Sequence, residues 1–339
     1  MLGIGKVCAT AGALVLGLLV WGGCDTGPLD ERTALELSAV AREYVDEVLD
    51  TLETHSINRY EIDWPMFREA TIAQAGAAQT TAETYPAVRD ALARLGDQHS
   101  FLQPPGGLAA ADLTTAIREV AAHRLGGSGY IRVTAYSGDG PGGAEVAGQY
   151  QEEIRQLDTD DLCGWIIDVR GNTGGNMWVM LAGVGPLLSD GILGFFVYPD
   201  SIVEPWFYWA GKVGYGDDTI VSVAEPYTPS ERSPVAVLTN EMTASSGEAI
   251  VIALAGTGAS RSFGAATRGL ATANRGFVLS DGATMFLAVG RMADRFGRAY
   301  DGAIAPDEAV VTGADEPLMS DPAVEKASEW LRRVGCLVA

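Results

Sequence analysis

A unit that occurs twice constrains the fold of this chain more than any other feature. It consists of a short apolar strand, a turn of small and polar residues, and an apolar helix. The first copy has its strand at 165–169 and its helix at 177–188, and the second has them at 235–238 and 247–254. Strands that alternate with helices in this way predict an α/β core. With 339 residues, of which 47% are apolar, the chain can bury one large core and a smaller unit beside it.

The chain before this core has the spacing of helices. Apolar residues recur at helical intervals from 35 to 49, and further helices are predicted at 64–74, 82–95 and 109–122. Around residue 129 the pattern changes to alternating strands and glycine-rich turns. The other predicted elements are a strand at 130–136, a helix at 144–158, a hairpin with strands at 276–279 and 283–289, and a final helix at 322–333.

Residues 1–23 have the pattern of an export signal. The apolar run over 7–20 is shorter than the roughly 20 residues that a membrane-spanning helix needs, so we expect a cleaved signal peptide. Small residues directly before Cys24 resemble the lipobox of bacterial lipoproteins, which predicts acylation of Cys24. Trp21 stands where that motif usually has an aliphatic residue, so a plain secretory signal is the alternative. In both cases the mature protein is expected outside the cytoplasm, in the periplasm or at the cell surface.

The formal net charge of −21 limits the classes of partner. Nucleic acids and anionic membrane surfaces attract basic patches, so neither is expected to bind this chain. Contact with a membrane is expected only through the N-terminal lipid anchor. The sequence leaves the oligomeric state open.

Cysteine and histidine spacing argues against a metal site. Beyond Cys24, the mature chain contains Cys163 and Cys336, and neither these nor the three histidines lie at metal-ligand spacing. We therefore expect no metal ion and no cofactor. Cys163 precedes a buried strand and is expected to pack as a small hydrophobic residue. A bond between Cys163 and Cys336 is the alternative in an oxidising compartment, and the sequence does not decide between them.

The second strand–turn–helix unit has a serine in its turn. The segment 240–248 reads NEMTASSGE, which places the hydroxyl of Ser245 at the sheet edge and the amide of Ser246 at a helix N-terminus. Unpaired amides and the helix dipole favour negative charge there, so the position suits a nucleophile that generates an oxyanion. The alternative is a purely structural one, in which the serines cap the helix and Glu248 closes a capping box with Ser245.

Four segments together resemble the C-terminal processing (tail-specific) serine peptidases, the family that also includes the tricorn core and retinoid-binding-protein modules. They occur in the family's order, at 95–100 (LGDQHS), 167–175 (IDVRGNTGG), 243–248 (TASSGE) and 300–307 (YDGAIAPD). The resemblance implies an α/β fold with a crotonase-like core over 129–339 and an N-terminal helical module over 24–105. Only the connector 106–128 lies between them, which is too short for the PDZ domain that many of these peptidases carry.

The resemblance also assigns catalytic roles. A serine hydroxyl needs an adjacent base, and an imidazole with an ordinary pKa of about 6.5 can take the proton and return it to a leaving amine. Ser245 is therefore expected to be the nucleophile and His99 the general base. The lysine of the family's Ser-Lys branch falls on Leu270, which cannot act as a base, so the histidine branch is the better match. Its acid falls on Asp301, acting directly or through Ser100; the alternative for Asp301 is a simple turn residue.

The glycine turn after the first strand is expected to help bind the oxyanion. Gly174 and Gly175 stand where the backbone must approach a neighbour closely or adopt positive φ. By resemblance, the amide of Gly174 joins that of Ser246 in the oxyanion hole. Asp168 and Arg170 are expected to brace this turn rather than to touch substrate.

The sequence therefore predicts an extracytoplasmic serine peptidase that hydrolyses peptide bonds through an acyl-enzyme. Two alternatives stay open: a non-catalytic protein that binds a hydrophobic ligand or a peptide on the same fold, and an esterase that acts on small acyl compounds. The aromatic segment 206–209 is interpreted either as part of the substrate cleft or as a packed edge of the core.

Overall fold

The computed structural model describes residues 36–106, 120–138, 140–311 and 317–336. The signal peptide and Cys24 lie outside the described residues, as does nearly all of the helix expected at 109–122. The described residues belong to one compact unit, Glu36–Ala339. The boundaries expected at 105 and 129 stay predictions. No helix in the described part of the chain has the length and apolar character needed to cross a membrane.

Both copies of the repeated unit are present, with four further strands between them. The described α-helices are α1 (Ala39–His55), α2 (Trp64–Ala75), α3 (Tyr85–Arg94), α4 (Gly140–Leu157), α5 (Met177–Leu188), α6 (Ser246–Leu254) and α7 (Pro322–Leu331). The described strands are β1 (Phe101–Gln103), β2 (Ala122–Leu125), β3 (Ser128–Arg132), β4 (Trp165–Asp168), β5 (Gly191–Val197), β6 (Val203–Trp209), β7 (Lys212–Tyr215), β8 (Asp218–Ser222), β9 (Val235–Thr239), β10 (Ser260–Gly264), β11 (Thr272–Val278), β12 (Thr284–Asp294) and β13 (Glu308–Ala309).

A largely parallel sheet forms the centre of the fold. Its described strands run in the order β13-β10-β9-β4-β3-β2, and every neighbouring pair is parallel except the β2–β3 hairpin. Trp165 and Ile167 point into the core that contains α5 and α6, whereas Ile166 points into a second core under α7. The two central strands, β4 and β9, are buried along their whole length because both faces of the sheet are covered there, which is usual for parallel strands.

A second, antiparallel sheet lies against the same core. Its described strands run in the order β1-β12-β5-β6-β7-β8, and β11 pairs with β12 on the other side. Helix α5 contacts β6, β7 and β8, and α6 contacts β5 and β12, so both helices of the repeated units lie between the two sheets. The side chain of Trp206 in β6 is fully buried.

The expected elements agree with the structure where the apolar pattern was strong. Helix α5 has the predicted bounds, and the hairpin expected around 280–282 is the β11–β12 pair. The strand expected at 130–136 ends at Arg132, and Tyr136 lies beyond it in an isolated bridge to Gly175. Ala122, expected to end a helix, begins the edge strand β2.

Cys163 and Cys336 form a disulfide bond. The bond joins the residue before Gly164, at the start of β4, to the short π-helical segment Arg332–Cys336 that follows α7. It closes a loop with a sequence separation of 173 residues. The open question about these two cysteines is thereby answered, and α7 is covalently tied to the central sheet.

We expect the disulfide to contribute measurably to stability. The Cys163→Ser and Cys336→Ser variants, alone and together, should lose the same free energy of unfolding, about 2 to 5 kcal/mol, because each removes the same constraint on the unfolded chain. Denaturant titration measures the loss. A reducing agent should lower the wild type to the value of the variants and leave the variants unchanged. The disulfide would be contradicted if the two single variants lost different free energies of unfolding, or if the reducing agent left the stability of the wild type unchanged.

Candidate active site

The two turns that carry the expected chemistry leave the sheet side by side. Strands β4 and β9 are parallel neighbours, with Asp168 opposite Leu238, so the chain segments after both strands emerge at the same edge. The carboxyl ends of parallel strands are the usual location of sites in open α/β sheets. Thr243 Oγ1 donates to the carbonyl of Val169 at 3.0 Å, and the amide of Ala244 donates to the carbonyl of Asn172 at 2.9 Å. The glycine turn and the serine turn are thus joined directly.

Ser245 occupies a backbone conformation that non-glycine residues rarely adopt. Its φ is 53° and its ψ is −116°, at the point where the chain enters α6. Such a conformation stores on the order of 1 to 3 kcal/mol of strain and persists only where its surroundings hold it. Strained residues of this kind cluster at functional sites, which favours a functional interpretation of Ser245 over a plain helix cap.

Glu248 holds the serine turn in place. Its side chain is fully buried, and its Oε2 accepts the amide of Ser245 at 2.8 Å. The same carboxylate accepts three further hydrogen bonds, from Thr267 Oγ1 at 2.5 Å, the amide of Gly269 at 2.9 Å and the amide of Leu270 at 2.8 Å. A buried carboxylate is tolerated when it is saturated with donors in this way. Glu248 therefore connects the serine turn to the loop that precedes β11.

Gly174 must be glycine because Ser245 packs against it. A Cβ atom at Gly174 would lie 2.8 Å from the Cβ of Ser245 and 3.1 Å from its Oγ. The φ of Gly174 is 109°, which also excludes most other residues. The glycine turn thus brings bare backbone against Ser245, an approach that an oxyanion hole requires.

The amide of Gly174, however, is already used. It is buried and donates to Asn172 Oδ1 at 2.9 Å, so the expected role of Gly174 as an oxyanion donor stays a prediction that would require this bond to break. Gly175 is exposed and lines the cavity beside Ser245. Within the described residues, the amides of Gly175 and Ser246 have no hydrogen-bond partner. Ser246 Oγ donates to the carbonyl of Gly175 at 2.7 Å and so fixes these two backbone segments to each other.

His99 lies on the turn between α3 and β1, next to the same cavity. Its Nδ1 is 2.6 Å from Thr272 Oγ1, and Thr272 lines the cavity together with Ser245. Burial lowers the pKa of His99 below its ordinary value, and the nearby Asp97 carboxylate opposes that shift only partly. Asp97 accepts the amides of His99 and Ser100, both at 2.8 Å, which fixes the turn. At neutral pH His99 is thus mainly uncharged, as a general base must be.

Asp301 does not contact His99. Its side chain is 83% exposed and lies 3.7 Å from the guanidinium of Arg291. It lines a second cavity, of about 230 Å³, together with Asp97 and Thr272. Within the described residues no hydrogen bond joins Asp301 to His99. Ser100 does not connect them either, because its hydroxyl donates to Asp97 and accepts the amide of Ala288.

Asp168 and Arg170 make the contacts of a structural brace. Asp168 is buried and accepts the amide of Arg170 at 3.0 Å and two of its guanidinium nitrogens, at 2.9 Å and 2.7 Å. Tyr130 donates its hydroxyl to the same carboxylate at 2.8 Å. Arg170 also pairs with Asp321, the residue that caps α7. Neither Asp168 nor Arg170 lines the cavity beside Ser245.

The cavity beside Ser245 has a volume of about 360 Å³ and one apolar wall. Trp178 stacks on Tyr215 with ring centroids 5.5 Å apart and meets Phe196 edge-on at 6.0 Å. The aromatic segment 206–209 is not part of this lining: Trp206 is buried behind it, 6.1 Å from Phe196. Trp206 and Tyr208 of that segment pack into the core, whereas Trp209 is exposed.

Sequence reasoning missed Thr272 and Asn274, which contact His99 from β11. The sequence predicted only a capping role for Glu248, and Asn172 was noted only as part of a motif. The chain gives no local signal for Thr272, because its partner is distant in sequence. Glu248 was detectable three residues after Ser245, but its bonds to 267–270 were not.

A serine on a strained strand-to-helix turn, in one cavity with two unpaired amides, is an arrangement typical of serine hydrolases. The sequence profile of peptidase family S41 matches residues 127–310, more than half of the 339 residues, and the chain belongs to this family. It is therefore a serine-type peptidase, and its substrates are peptides or proteins.

Several known proteins have a similar sequence or fold. The chain is 24% identical over 334 residues to the nisin-resistance protein of Lactococcus lactis subsp. lactis, covering 98% of this chain and 96% of that protein. Its fold is similar to a lipoprotein from Streptococcus agalactiae, with a TM-score of 0.71, 23% identity and coverage of 88% and 98% of the two chains. A photosystem II D1 C-terminal processing protease matches with a TM-score of 0.55, 16% identity and coverage of 81% and 94%.

We expect Glu248→Gln to disturb both the serine turn and the loop before β11. A glutamine presents an NH₂ group to donors that now face a carboxylate oxygen, so the free energy of unfolding should fall by about 1 to 3 kcal/mol. Peptidase turnover should fall with it. Glu241→Gln, on an exposed residue of the same turn, is the matched control and should change stability by less than about 0.5 kcal/mol. Denaturant titration measures the free energy of unfolding of both variants. Equal values would show that the hydrogen bonds to Glu248 do not contribute to stability.

Proposed function

We propose that the protein is an extracytoplasmic serine peptidase in which Ser245 is the nucleophile and His99 is the general base. One observation carries the proposal: a strained serine, two free amides and a residue that contacts His99 all line one cavity. A helix cap alone would need neither the strain nor the glycine backbone packed against the serine.

In the proposed reaction, the hydroxyl of Ser245 attacks the carbonyl carbon of the scissile peptide while His99 takes its proton. The carbonyl oxygen becomes an oxyanion, which the amides of Gly175 and Ser246 stabilise. Losing one such donor typically costs roughly 2.7 to 4 kcal/mol of barrier. His99 then protonates the leaving amine, and a water molecule deprotonated by His99 hydrolyses the acyl-enzyme.

Asp301 has a limited part in this proposal. Its exposed carboxylate and the neighbouring Arg291 stand at the second cavity, which Thr272 also lines. The charge of Asp301 acts on the imidazolium only through solvent and against the opposite charge of Arg291, so its contribution is small. Asp97, which is closer to His99, supplies more of the local negative potential.

We also propose that the parallel sheet with α5 and α6 is the crotonase-like core that the family resemblance implies. The two strand–turn–helix units support this assignment.

An N-terminal lipid anchor on Cys24 is proposed from the lipobox-like sequence. The disulfide, which suits an oxidising compartment, and the fold similarity to a protein described as a lipoprotein support an extracytoplasmic location.

A second candidate function concerns the substrate. Nearly the full length of the chain matches a nisin-resistance protein, which favours a peptidase that protects its cell by cleaving a peptide such as nisin. Mass spectrometry of nisin incubated with the purified protein tests this directly. A nisin that remains intact with the wild type, under conditions where another peptide is cleaved, rules out this candidate and leaves the general peptidase.

Replacement of Ser245 by alanine should abolish catalysis. We expect turnover of a peptide substrate to fall by at least about 10³-fold, because the acyl-enzyme can no longer form. A fluorophosphonate probe should label the wild type at Ser245, as mapped by peptide mass spectrometry, and should not label the variant. Ser222→Ala, an exposed serine in β8, is the control and should leave both readouts unchanged.

Full peptide turnover by the Ser245→Ala variant would refute the role of Ser245 as the nucleophile. A folded wild type that neither reacts with the probe nor cleaves peptides would favour a ligand-binding protein, and labelling with turnover of esters alone would favour an esterase.

The dependence of kcat/KM on pH should follow the deprotonation of His99. Only the neutral imidazole can accept a proton, so kcat/KM should rise with pH and level off once His99 is deprotonated. Burial lowers the pKa of His99, which places the midpoint of this rise below the ordinary 6.5. Asp97→Asn removes the charge that opposes the shift, so its midpoint should move further down. A midpoint above 6.5 in the wild type, or an upward shift in Asp97→Asn, would contradict this account.

A further inference from the structure

The hydrogen-bond partner of His99 is a hydroxyl where serine peptidases commonly have a carboxylate. Nδ1 of His99 is 2.6 Å from Thr272 Oγ1, and the described residues place no carboxylate in hydrogen-bond contact with the ring. A carboxylate can only accept and so dictates which ring nitrogen carries the proton. A threonine hydroxyl can donate or accept, so its own second contact has to decide the direction of the bond.

That second contact is with Asn274. The NH₂ group of Asn274 donates to the backbone carbonyl of His99 at 2.9 Å, and because a carbonyl can only accept, the orientation of the amide is fixed. The amide oxygen then faces Thr272, with Oδ1 and Oγ1 3.3 Å apart. An amide oxygen can only accept, so Thr272 directs its single hydroxyl hydrogen to Asn274.

The direction of the bond to His99 follows from this. Since the hydrogen of Thr272 goes to Asn274, the lone pair of Oγ1 faces the imidazole, and Nδ1 of His99 must be the donor. We propose that Thr272 and Asn274 are positioning residues that hold His99 in the tautomer with its proton on Nδ1. Nε2 is then the basic nitrogen that takes the proton of Ser245. The catalytic meaning of this inference rests on the proposed function, whereas the assignment of the tautomer is independent of it.

The arrangement gives orientation without adding a charge at Nδ1. The charge that acts on the pKa of His99 is that of Asp97 on its own turn. Arg268, Arg291 and Asp301 line the second cavity, and Arg275 lines the cavity that contains Ser245. Thr272 is neutral and stands between that cavity and the one that contains Ser245. Loss of its hydroxyl should therefore change the tautomer and the rate more than the midpoint of the pH profile.

Position in the fold makes Thr272 and Asn274 suitable for this role. Both lie at the start of β11, which pairs with β12 along its length. The amide of Thr272 donates to the carbonyl of Leu270 at 2.8 Å, and the amide of Leu270 is held by Glu248. The positioning pair and the nucleophile turn are thus held by one buried carboxylate.

Nitrogen-15 NMR of the full chain with labelled histidine tests the tautomer. At a pH where His99 is neutral, Nδ1 should resonate as a protonated, pyrrole-type nitrogen and Nε2 as an unprotonated, pyridine-type nitrogen, with His99→Gln identifying the signals. Thr272→Val, which keeps the shape but removes the hydroxyl, should shift the population towards the Nε2-protonated form. An Nε2-protonated wild type would overturn the inference whatever the activity, and so would an unchanged tautomer in the valine variant.

Kinetics of the same variants test the catalytic consequence. Thr272→Val should lower kcat by about 10- to 100-fold with KM nearly unchanged, because only proton transfer is affected. Thr272→Ser restores the hydroxyl and should recover most of the rate, and the exposed Thr219→Val is the matched control. A full rate in Thr272→Val while Ser245→Ala is inactive would refute the positioning role and leave the peptidase mechanism intact. The positioning role would also be refuted if Thr272→Ser had a kcat as low as that of Thr272→Val, with thermal unfolding showing that both variants are folded.

Discussion

The site depends on one buried carboxylate, Glu248. Four hydrogen bonds converge on it, one from the nucleophile turn and three from the segment 267–270. Without those donors, a charge at this depth would cost several kcal/mol, so the two chain segments are held where they satisfy it. The carboxylate thereby fixes the strained backbone of Ser245 and the approach of the chain to Thr272. Two parts of the proposed mechanism that lie far apart in sequence share this single support.

Sheet topology explains why the remaining parts meet there. Parallel neighbours β4 and β9 release their turns at one edge, and glycine backbone at Gly174 lets the serine turn approach more closely than any side chain would allow. Asn172 extends this junction, because its side chain holds the amide of Gly174 and the carbonyl of Val133. The free amides of Gly175 and Ser246 are a consequence of these constraints: both lie at positions where no regular ladder or helix can use them.

How much the sequence predicts depends on the range of the interactions involved. Helix α5, strand β4 and the glycine and serine turns follow from local apolar patterns, and family membership follows from four short motifs. The strands from β5 to β8 were not predicted, because short antiparallel strands with bulges, such as the one near Ile192, lack a clean alternation. Motif transfer likewise suggested Gly174 and Asp301, but the amide of the first is bonded to Asn172 and the second faces Arg291. Thr272 could not be found at all, since its relation to His99 exists only after β11 has docked.

The disulfide between Cys163 and Cys336 encloses both turns of the site within one covalently closed ring of the chain. A cut in any surface loop inside that ring, for instance between β7 and β8, would leave the two pieces linked. Such a nicked molecule would keep Ser245, the glycine backbone and Glu248 in a single covalent assembly. A peptidase exposed to other proteases, or to its own kind, gains from this arrangement a tolerance of backbone damage that non-covalent packing alone would not secure.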